Sequence, residues 1–261
     1  VMPYLEKTLE MSRQLADFFP GYEHIADPLI DYRDPGLTAS VVRSLFAELT
    51  VELVPIIEGI TRDGPAEDGF LDQPFAEEQQ LGFGEDVIRS FGYDFSRGRQ
   101  DKTHHPYMTR FALDDVRITM RVTSERFGPA FSSQTHECGH ALYELGIERD
   151  YDGTPLARGT SAGVHESQAR LWENLVGRNL VFWEHYYPML QKRFSRQLGT
   201  ISLEKFYRGI NKVEASTIRT GADEVTYNLH TLVRFELEMK MLNGELAVRN
   251  LPEAWHAAYE Q

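Results

Sequence analysis

The segment H-E-C-G-H at residues 136–140 limits the possible folds of this chain more than any other part of its sequence. It fits the pattern H-E-x-x-H, which requires a helix, because residues four apart on a helix share one face and can point two imidazoles at one ion. Glu137 then projects beside that ion. The polar run at 132–135 suits the start of such a helix, and Gly146 suits its end. The sequence therefore predicts a helix that binds a metal ion through two histidines.

A catalytic zinc ion has three protein ligands and one open position for water, so a third ligand is required. Glu144 is the nearest carboxylate, but His136, His140 and Glu144 would run along about 12 Å of one helix line and could not converge on one ion. The ligand must come from another element. Glu166 opens a helical pattern after a glycine-rich approach and is the preferred candidate. Glu173, two turns further along, is the alternative.

Two neighbouring residues also carry side chains that bind metals in other proteins. Cys138 lies about 200° around the helix from His136, which favours a small packed residue over a ligand or a nucleophile. His165 directly precedes Glu166. We interpret it as a structural residue, or as one that contacts a ligand, rather than as a ligand itself.

Hydrophobic periodicity predicts a mainly α-helical chain with a small β element. Residues 116–122 alternate between apolar and polar side chains, the period of a half-buried strand, so a small sheet precedes the metal motif. Apolar residues elsewhere recur at helical spacing. The helices are predicted from Val1 to about Phe19, from Thr38 to Gly64-Pro65 with a kink at Pro55, and at 130–146, 160–185, 202–220 and 225–243.

The 261 residues, of which 41% are hydrophobic, can bury the core of a single domain, predicted to span residues 1–261. The chain opens within a helical pattern without an initiator methionine. It closes a few residues after Leu251-Pro252, which is a good helix start. We therefore expect the chain to be part of a longer protein, shortened at both ends.

Charge and cysteine content restrict the partners and the compartment. A net charge of −13 disfavours nucleic acids and anionic membrane surfaces, which such a chain would repel. No run of about 18 apolar residues predicts a membrane span. Cys138 is the only cysteine, so no disulfide can form within the chain. A cytoplasmic location follows as the expectation.

Several short motifs, taken together, resemble one family. They are H-E-C-G-H at 136–140, H-E-S-Q at 165–168, H-P-Y at 105–107, D-V-R-I-T at 115–119 and I-R-T-G-A-D at 218–223. Their identity and order are similar to those of the carboxypeptidase Taq family of zinc metallocarboxypeptidases. The one departure among them is the tyrosine of H-P-Y, where the family has phenylalanine.

The resemblance implies a fold and a set of roles. The fold is a helical zinc-peptidase core of the gluzincin type, with a small β-sheet beside the active-site helix. His136, His140 and Glu166 would bind Zn²⁺, which Co²⁺ or Mn²⁺ could replace. Glu137 would be the catalytic base, and Arg219, on the predicted 202–220 helix, would receive the C-terminal carboxylate of the substrate. A homodimer is also implied.

Four further residues are candidates for the site. Tyr227 and His230 lie one turn apart and would donate hydrogen bonds to the developing oxyanion or to the substrate backbone, with core packing as an equal alternative for Tyr227. His105 and Arg117 would lie near a strand edge, where peptide substrates can dock by strand addition.

The function expected is that of a metal-dependent carboxypeptidase acting on peptides with a free C-terminus. One alternative is a zinc endopeptidase or aminopeptidase. Another is an inactive protein that binds zinc and peptide without turnover. Family members are around twice this length, with further N-terminal and C-terminal portions. Their absence from the 261 residues predicts an incomplete cleft and weak activity.

Overall fold

The computed structural model of the protein describes residues 1–62 and 64–260. These residues form two compact units, one made of Val1–Pro65 and Val213–Gln261 and the other of Ala66–Lys212. Within the described residues, no helix is both long enough and apolar enough to cross a membrane.

The described residues are mainly helical, as predicted. The α-helices, in chain order, are α1 (Met2–Asp17), α2 (Asp27–Asp31), α3 (Ala39–Arg62), α4 (Glu77–Phe91), α5 (Pro129–Leu145), α6 (Ala162–Arg170), α7 (Leu180–Arg193), α8 (Ser195–Leu198), α9 (Leu203–Ile210), α10 (Tyr227–Leu242) and α11 (Leu251–Tyr259). A π-helical segment, Leu171–Val176, directly follows α6. The strands are β1 (Gln100–Lys102), β2 (Tyr107–Ala112) and β3 (Asp115–Met120).

The first unit contains α1, α2, α3, α10 and α11. Ala26, Ala39 and Met239 form its buried apolar cluster, and Phe46 of α3 packs edge-on against Phe235 of α10. The buried carboxylate of Asp27 accepts a hydrogen bond from the backbone N–H of Ala39 at 2.8 Å, which satisfies a donor at the start of α3. The helices predicted at both ends of this unit are confirmed, and α3 continues through Pro55.

Aromatic side chains dominate the core of the second unit. They pack mostly edge-on or tilted, arrangements that aromatic pairs prefer, and the Trp183 indole donates a hydrogen bond to the Gly177 carbonyl at 2.8 Å. The fully buried rings of this core include Phe75, Phe83, Phe127, Trp183, Phe194 and Phe206.

The strands form one three-stranded sheet with the order β1-β3-β2. The central strand β3 pairs in parallel with β1 and antiparallel with β2. Val116, Ile118 and Met120 of β3 are fully buried and cluster with Cys138 and Ala141 of α5. The predicted small sheet beside the metal-motif helix is therefore confirmed. Cys138 is the small packed residue that the helix geometry predicted.

The helix predicted over 160–185 is wrong as a continuous element. After α6 and the π-helical segment the chain turns at 177–179, and α7 begins at Leu180. Asn179 accounts for the new start, because its side chain accepts a hydrogen bond from the Val181 N–H at 2.8 Å as an N-cap.

The helix predicted over 202–220 is also wrong beyond Ile210, where α9 ends. The side-chain amide of Asn211 donates to the backbone carbonyls of Arg178 at 3.2 Å and Tyr207 at 3.0 Å, which satisfies groups at the end of the helix. Arg219 consequently lies in a short 3-10 turn, Arg219–Gly221, and not on a helix.

Candidate metal centre

Helix α5 carries the H-E-C-G-H motif and crosses α6 at Gly139. It begins after Gly128, with Pro129 in its first turn, the pair of signals that suits a helix start. A Cβ atom on Gly139 would lie 2.6 Å from the Cα atom of Ala169 and 2.6 Å from the Gln168 carbonyl oxygen. Only glycine allows the two backbones to approach so closely. This contact brings the residues of α6 next to the two histidines.

His136, His140 and Glu166 converge at this crossing. The Oε2 atom of Glu166 lies 3.7 Å from Nε2 of His136 and 3.5 Å from Nε2 of His140. Two donors that each lie about 2 Å from a tetrahedral ion are roughly 3.3 Å apart. One donor atom from each of the three residues lies within 4.8 Å of the others. The cluster therefore has dimensions that fit a single metal ion.

The other ring nitrogens of both histidines are hydrogen-bonded. Nδ1 of His136 lies 2.9 Å from Oε2 of Glu173, and Nδ1 of His140 lies 3.1 Å from the His165 carbonyl oxygen. Both partners are acceptors, so each Nδ1 carries the proton and each Nε2 presents its lone pair. Metal-binding histidines in proteins generally have such a partner on the second nitrogen.

The carboxylate of Glu166 is ionised at neutral pH. Burial alone would raise its pKa, but the neighbouring His140, His136 and Arg170 side chains outweigh burial and lower the pKa to about 2. Two imidazoles with free Nε2 lone pairs and one carboxylate form a donor set typical of catalytic zinc sites. The residues present therefore fit a divalent transition-metal ion.

Glu137 is buried, with only 7% of its surface exposed. Burial raises its pKa to about 7, and the charges of Glu166 and Glu173 add to the effect while His136 opposes it. A carboxyl group with a pKa near 7 can both accept and return a proton at neutral pH. Its position on α5 beside His136 suits a general base.

Glu144 lies one turn beyond His140, and its carboxylate binds residues outside the cluster of His136, His140 and Glu166. Its Oε1 atom accepts hydrogen bonds from Nε2 of His165 at 3.1 Å and from the Gly159 N–H at 3.0 Å. Nε of Arg110 lies 3.6 Å from Oε2. The His165 ring stacks on His140 at 4.5 Å between centroids. Glu144 therefore supports the ring that packs against a candidate ligand.

Glu173, considered in the sequence only as an alternative ligand, is the partner of His136 instead. Its Oε1 atom accepts a hydrogen bond from the Ser132 hydroxyl at 2.5 Å, and Nη1 of Arg170 lies 3.3 Å from Oε2. Neither Ser132 nor Arg170 was predicted from the sequence. Arg170 could have been identified from its spacing, because it lies four residues after Glu166 and three before Glu173 and so shares a helical face with both.

The two candidates near the sheet are accessible to solvent. His105 is exposed in the bend between β1 and β2. Arg117 of β3 makes a bidentate ion pair with Asp115, at 2.7 Å for both bonds, and its guanidinium lies over the Phe111 ring. The role of both residues in substrate binding stays a prediction.

Arg219, Tyr227 and His230 belong to the first unit and form a local cluster there. Arg219 donates a hydrogen bond to the Tyr227 hydroxyl and lies over its ring. His230 is 3% exposed, and its Nδ1 atom lies 2.6 Å from the hydroxyl of Tyr259, a residue that the sequence did not single out. Burial and the Arg219 charge lower the pKa of His230, so its imidazole is neutral at pH 7.

Known proteins match the chain over its whole length. The family model described as carboxypeptidase Taq (M32) metallopeptidase matches residues 1–261. Thermostable carboxypeptidase 1 of Thermus thermophilus is 41% identical over 268 residues, and carboxypeptidase 1 of Bacillus subtilis is 39% identical over 259 residues. Each alignment covers 99% of this chain and 52% of the relative, so the chain spans about half the length of these relatives.

A solved structure gives the same assignment. The M32 carboxypeptidase from Deinococcus radiodurans R1 matches with a TM-score of 0.97 and 54% identity, over 100% of this chain and 52% of that one. The chain belongs to the carboxypeptidase Taq (M32) metallopeptidase family.

Proposed function

We propose that the protein is a zinc-dependent carboxypeptidase that hydrolyses the last peptide bond of peptides with a free C-terminus. The observation that carries the proposal is the convergence of His136, His140 and Glu166 beside the buried Glu137. Zn²⁺ is the ion proposed, with Co²⁺ or Mn²⁺ as replacements, because a donor set of two imidazoles and one carboxylate suits these ions.

The residues of the site divide the work of hydrolysis. When bound, the ion would lower the pKa of its water and polarise the scissile carbonyl. His136, His140 and Glu166 would hold it. Glu137 accepts the proton of the attacking water and returns it to the leaving amine, a transfer that its pKa of about 7 favours.

Recognition of the C-terminus is assigned to Arg219. A guanidinium binds both oxygens of a carboxylate through its planar fork, which a lysine cannot do. Arg219 donates a hydrogen bond to the Tyr227 hydroxyl and lies over the Tyr227 ring, contacts that would orient its guanidinium. Tyr227 thereby contributes to substrate recognition through Arg219. An oxyanion role for Tyr227 or His230 stays a prediction.

The remaining expectations are part of the same proposal. A cytoplasmic location is supported by the single, buried and unpaired Cys138. His105 and Arg117 are proposed to contact the substrate near the sheet edge. A single catalytic domain over residues 1–261 and a homodimer stay predictions that follow from the sequence and the family resemblance.

The test compares a peptide with a free C-terminus with its amidated form. Since a desolvated charge pair contributes about 2–5 kcal/mol, amidation should reduce kcat/KM by about a hundredfold or more. Arg219→Ala should cause the same loss on the free acid and little further loss on the amide, because both changes remove one interaction.

Three results would contradict the proposal. Equal cleavage of the two peptides would identify an endopeptidase, and loss of cleavage on blocking the N-terminus alone would identify an aminopeptidase. Stoichiometric zinc without hydrolysis of either peptide would identify a protein that binds the ion without turnover.

A further inference from the structure

Glu173 is held from three directions. Nδ1 of His136 and the Ser132 hydroxyl contact it from α5, at 2.9 and 2.5 Å, and Arg170 contacts it from its own helical run at 3.3 Å. Its side chain is only 14% exposed. A carboxylate held by these three contacts, with one oxygen facing Nδ1, fixes both the tautomer and the rotation of the His136 ring.

The backbone at Glu173 is unusual. It lies within the π-helical segment Leu171–Val176, where the Gly177 N–H bonds to the Trp172 carbonyl five residues earlier at 2.9 Å. Such segments are rare and recur at functional sites. The segment begins directly after Arg170, so the change in helix geometry falls between Arg170 and the carboxylate that it contacts.

Arg170 occupies one oxygen of the candidate ligand Glu166. Its Nε atom donates to Oε1 at 2.9 Å, while Oε2 faces the two histidines. A guanidinium that donates to Oε1 takes up one lone pair of that oxygen and leaves Oε2 as the freer donor for an ion. Bidentate binding, which would raise the coordination number and compete with the attacking water, would have to share Oε1 with the guanidinium.

We propose that Glu173 and Arg170 are positioning residues for the metal centre: Glu173 orients His136, and Arg170 restricts Glu166 to binding through one oxygen. The inference rests on the proposed metal site. It assigns no contact with substrate to either residue. A purely structural ion pair between α6 and the π-helical segment is the alternative that the experiments must distinguish.

The first experiment measures zinc affinity by competition with a chromophoric chelator, on metal-free protein and without any assay of activity. Glu173→Gln should weaken zinc binding about 10–100-fold, the usual effect of losing such a partner. Glu77→Gln is the matched control, because it removes the 2.7 Å ion pair to Lys102 elsewhere in the same unit. His140→Ala removes a proposed ligand and shows how weak zinc binding becomes when the site is lost.

The outcomes separate the two levels of the proposal. If the unmodified protein and His140→Ala bind zinc equally, the metal site itself is wrong. If His140→Ala loses zinc while Glu173→Gln binds it as tightly as Glu77→Gln does, the site stands and the role of Glu173 is refuted. Should Glu173→Gln fail to fold by circular dichroism, Ser132→Ala provides the test, because it frees one oxygen of Glu173 and should weaken zinc binding without breaking the ion pair.

Zinc affinity alone does not test Arg170, because removing its guanidinium has two opposite effects. Loss of the positive charge would strengthen the binding of a cation, and loss of the contact that orients Glu166 would weaken it. The second experiment therefore reads coordination directly, from the visible absorption of the Co²⁺-substituted protein. Cobalt(II) absorbs less strongly as its coordination number rises. Arg170→Gln should lower the molar absorption relative to the unmodified protein as Glu166 gains a second metal bond. An unchanged spectrum would overturn the role of Arg170.

Discussion

Glu137 is the residue on which hydrolysis should depend most directly. Because an amide cannot accept the water proton, Glu137→Gln should retain one equivalent of zinc while hydrolysis of a free-acid peptide falls about 10²–10⁴-fold. Metal analysis and a peptide assay on the same preparation measure both quantities.

The exposed Glu148 provides the control for this change. Glu148→Gln should leave both zinc content and hydrolysis unaltered. Normal turnover by Glu137→Gln would remove Glu137 from the mechanism, and loss of zinc would show that it contributes to binding the ion.

Glu144 should make the stability of the protein depend on pH. Although burial opposes it, hydrogen bonds from His165 and Gly159 lower the pKa of Glu144. A group whose pKa is lower in the folded than in the unfolded state stabilises the fold above its unfolded pKa and loses that effect as pH falls through the folded value. Glu144→Gln should therefore lower the free energy of unfolding at pH 7, by about 1–3 kcal/mol.

The difference in the free energy of unfolding between the unmodified protein and Glu144→Gln should narrow below about pH 4, because the Glu144 carboxylate becomes protonated there. Thermal unfolding across this range, with Glu125→Gln at an exposed position as the reference, gives the comparison. A difference independent of pH would mean that packing, and not the charge of Glu144, stabilises this region.

At this scale the sequence predicted the residues of the cluster better than their neighbours. The spacing of His136 and His140 predicts two donors on one face, because helix geometry is local. The hydrogen-bond partners of the two Nδ1 atoms could not be predicted from the sequence, because Glu173 and the His165 carbonyl contact the histidines only where two helices cross. For the same reason nothing in the sequence connected His230 to Tyr259, which lies 29 residues later.

The crossing of α5 and α6 depends on the missing side chain of Gly139. Gly139→Ala would place a methyl group 2.6 Å from backbone atoms that cannot rotate away. We expect a loss of about 1–3 kcal/mol of stability from overpacking and weaker zinc binding, because α6 carries Glu166. Chemical denaturation and chelator competition would measure the two effects.

Gly59 of α3 gives the matched substitution, since a Cβ there meets no atom within 4 Å. Gly59→Ala should stabilise the protein by up to about 1 kcal/mol through helix propensity and leave zinc affinity unchanged. Equal behaviour of the two variants would show that the close approach at Gly139 is unimportant.

Among the elements, those bounded by strong local signals were predicted well. The helix expected at 130–146 is α5, with Pro129 at its start and Gly146 at its end, and the alternation at 116–122 is β3. The predictions failed where side chains end or begin a helix. Asn179 and Asn211 are such residues, and the bonds of Asn211 reach Arg178, 33 residues away. The periodicity of apolar residues gives no information about such side-chain hydrogen bonds.

For the whole molecule, the metal ion should be a source of stability. A ligand that binds only the folded state stabilises it by RT ln(1 + [L]/Kd), which is about 2.7 kcal/mol at a hundred times Kd. Calorimetry should therefore show a lower Tm after chelation and recovery on adding zinc. His140→Ala should have a Tm that zinc does not change. An equal Tm for the metal-free and zinc-loaded protein would argue against a specific site.

The contact of two backbones at Gly139 also bears on which ions the protein can choose. Donors carried by helices that touch have little freedom to spread or to contract, so the size of the cluster is set when the chain folds and not when an ion arrives. Calcium, which takes six to eight oxygen ligands at 2.3–2.6 Å, would find a single carboxylate oxygen and two nitrogens. The donor types that disfavour calcium are thus brought together by a contact that one residue without a side chain permits.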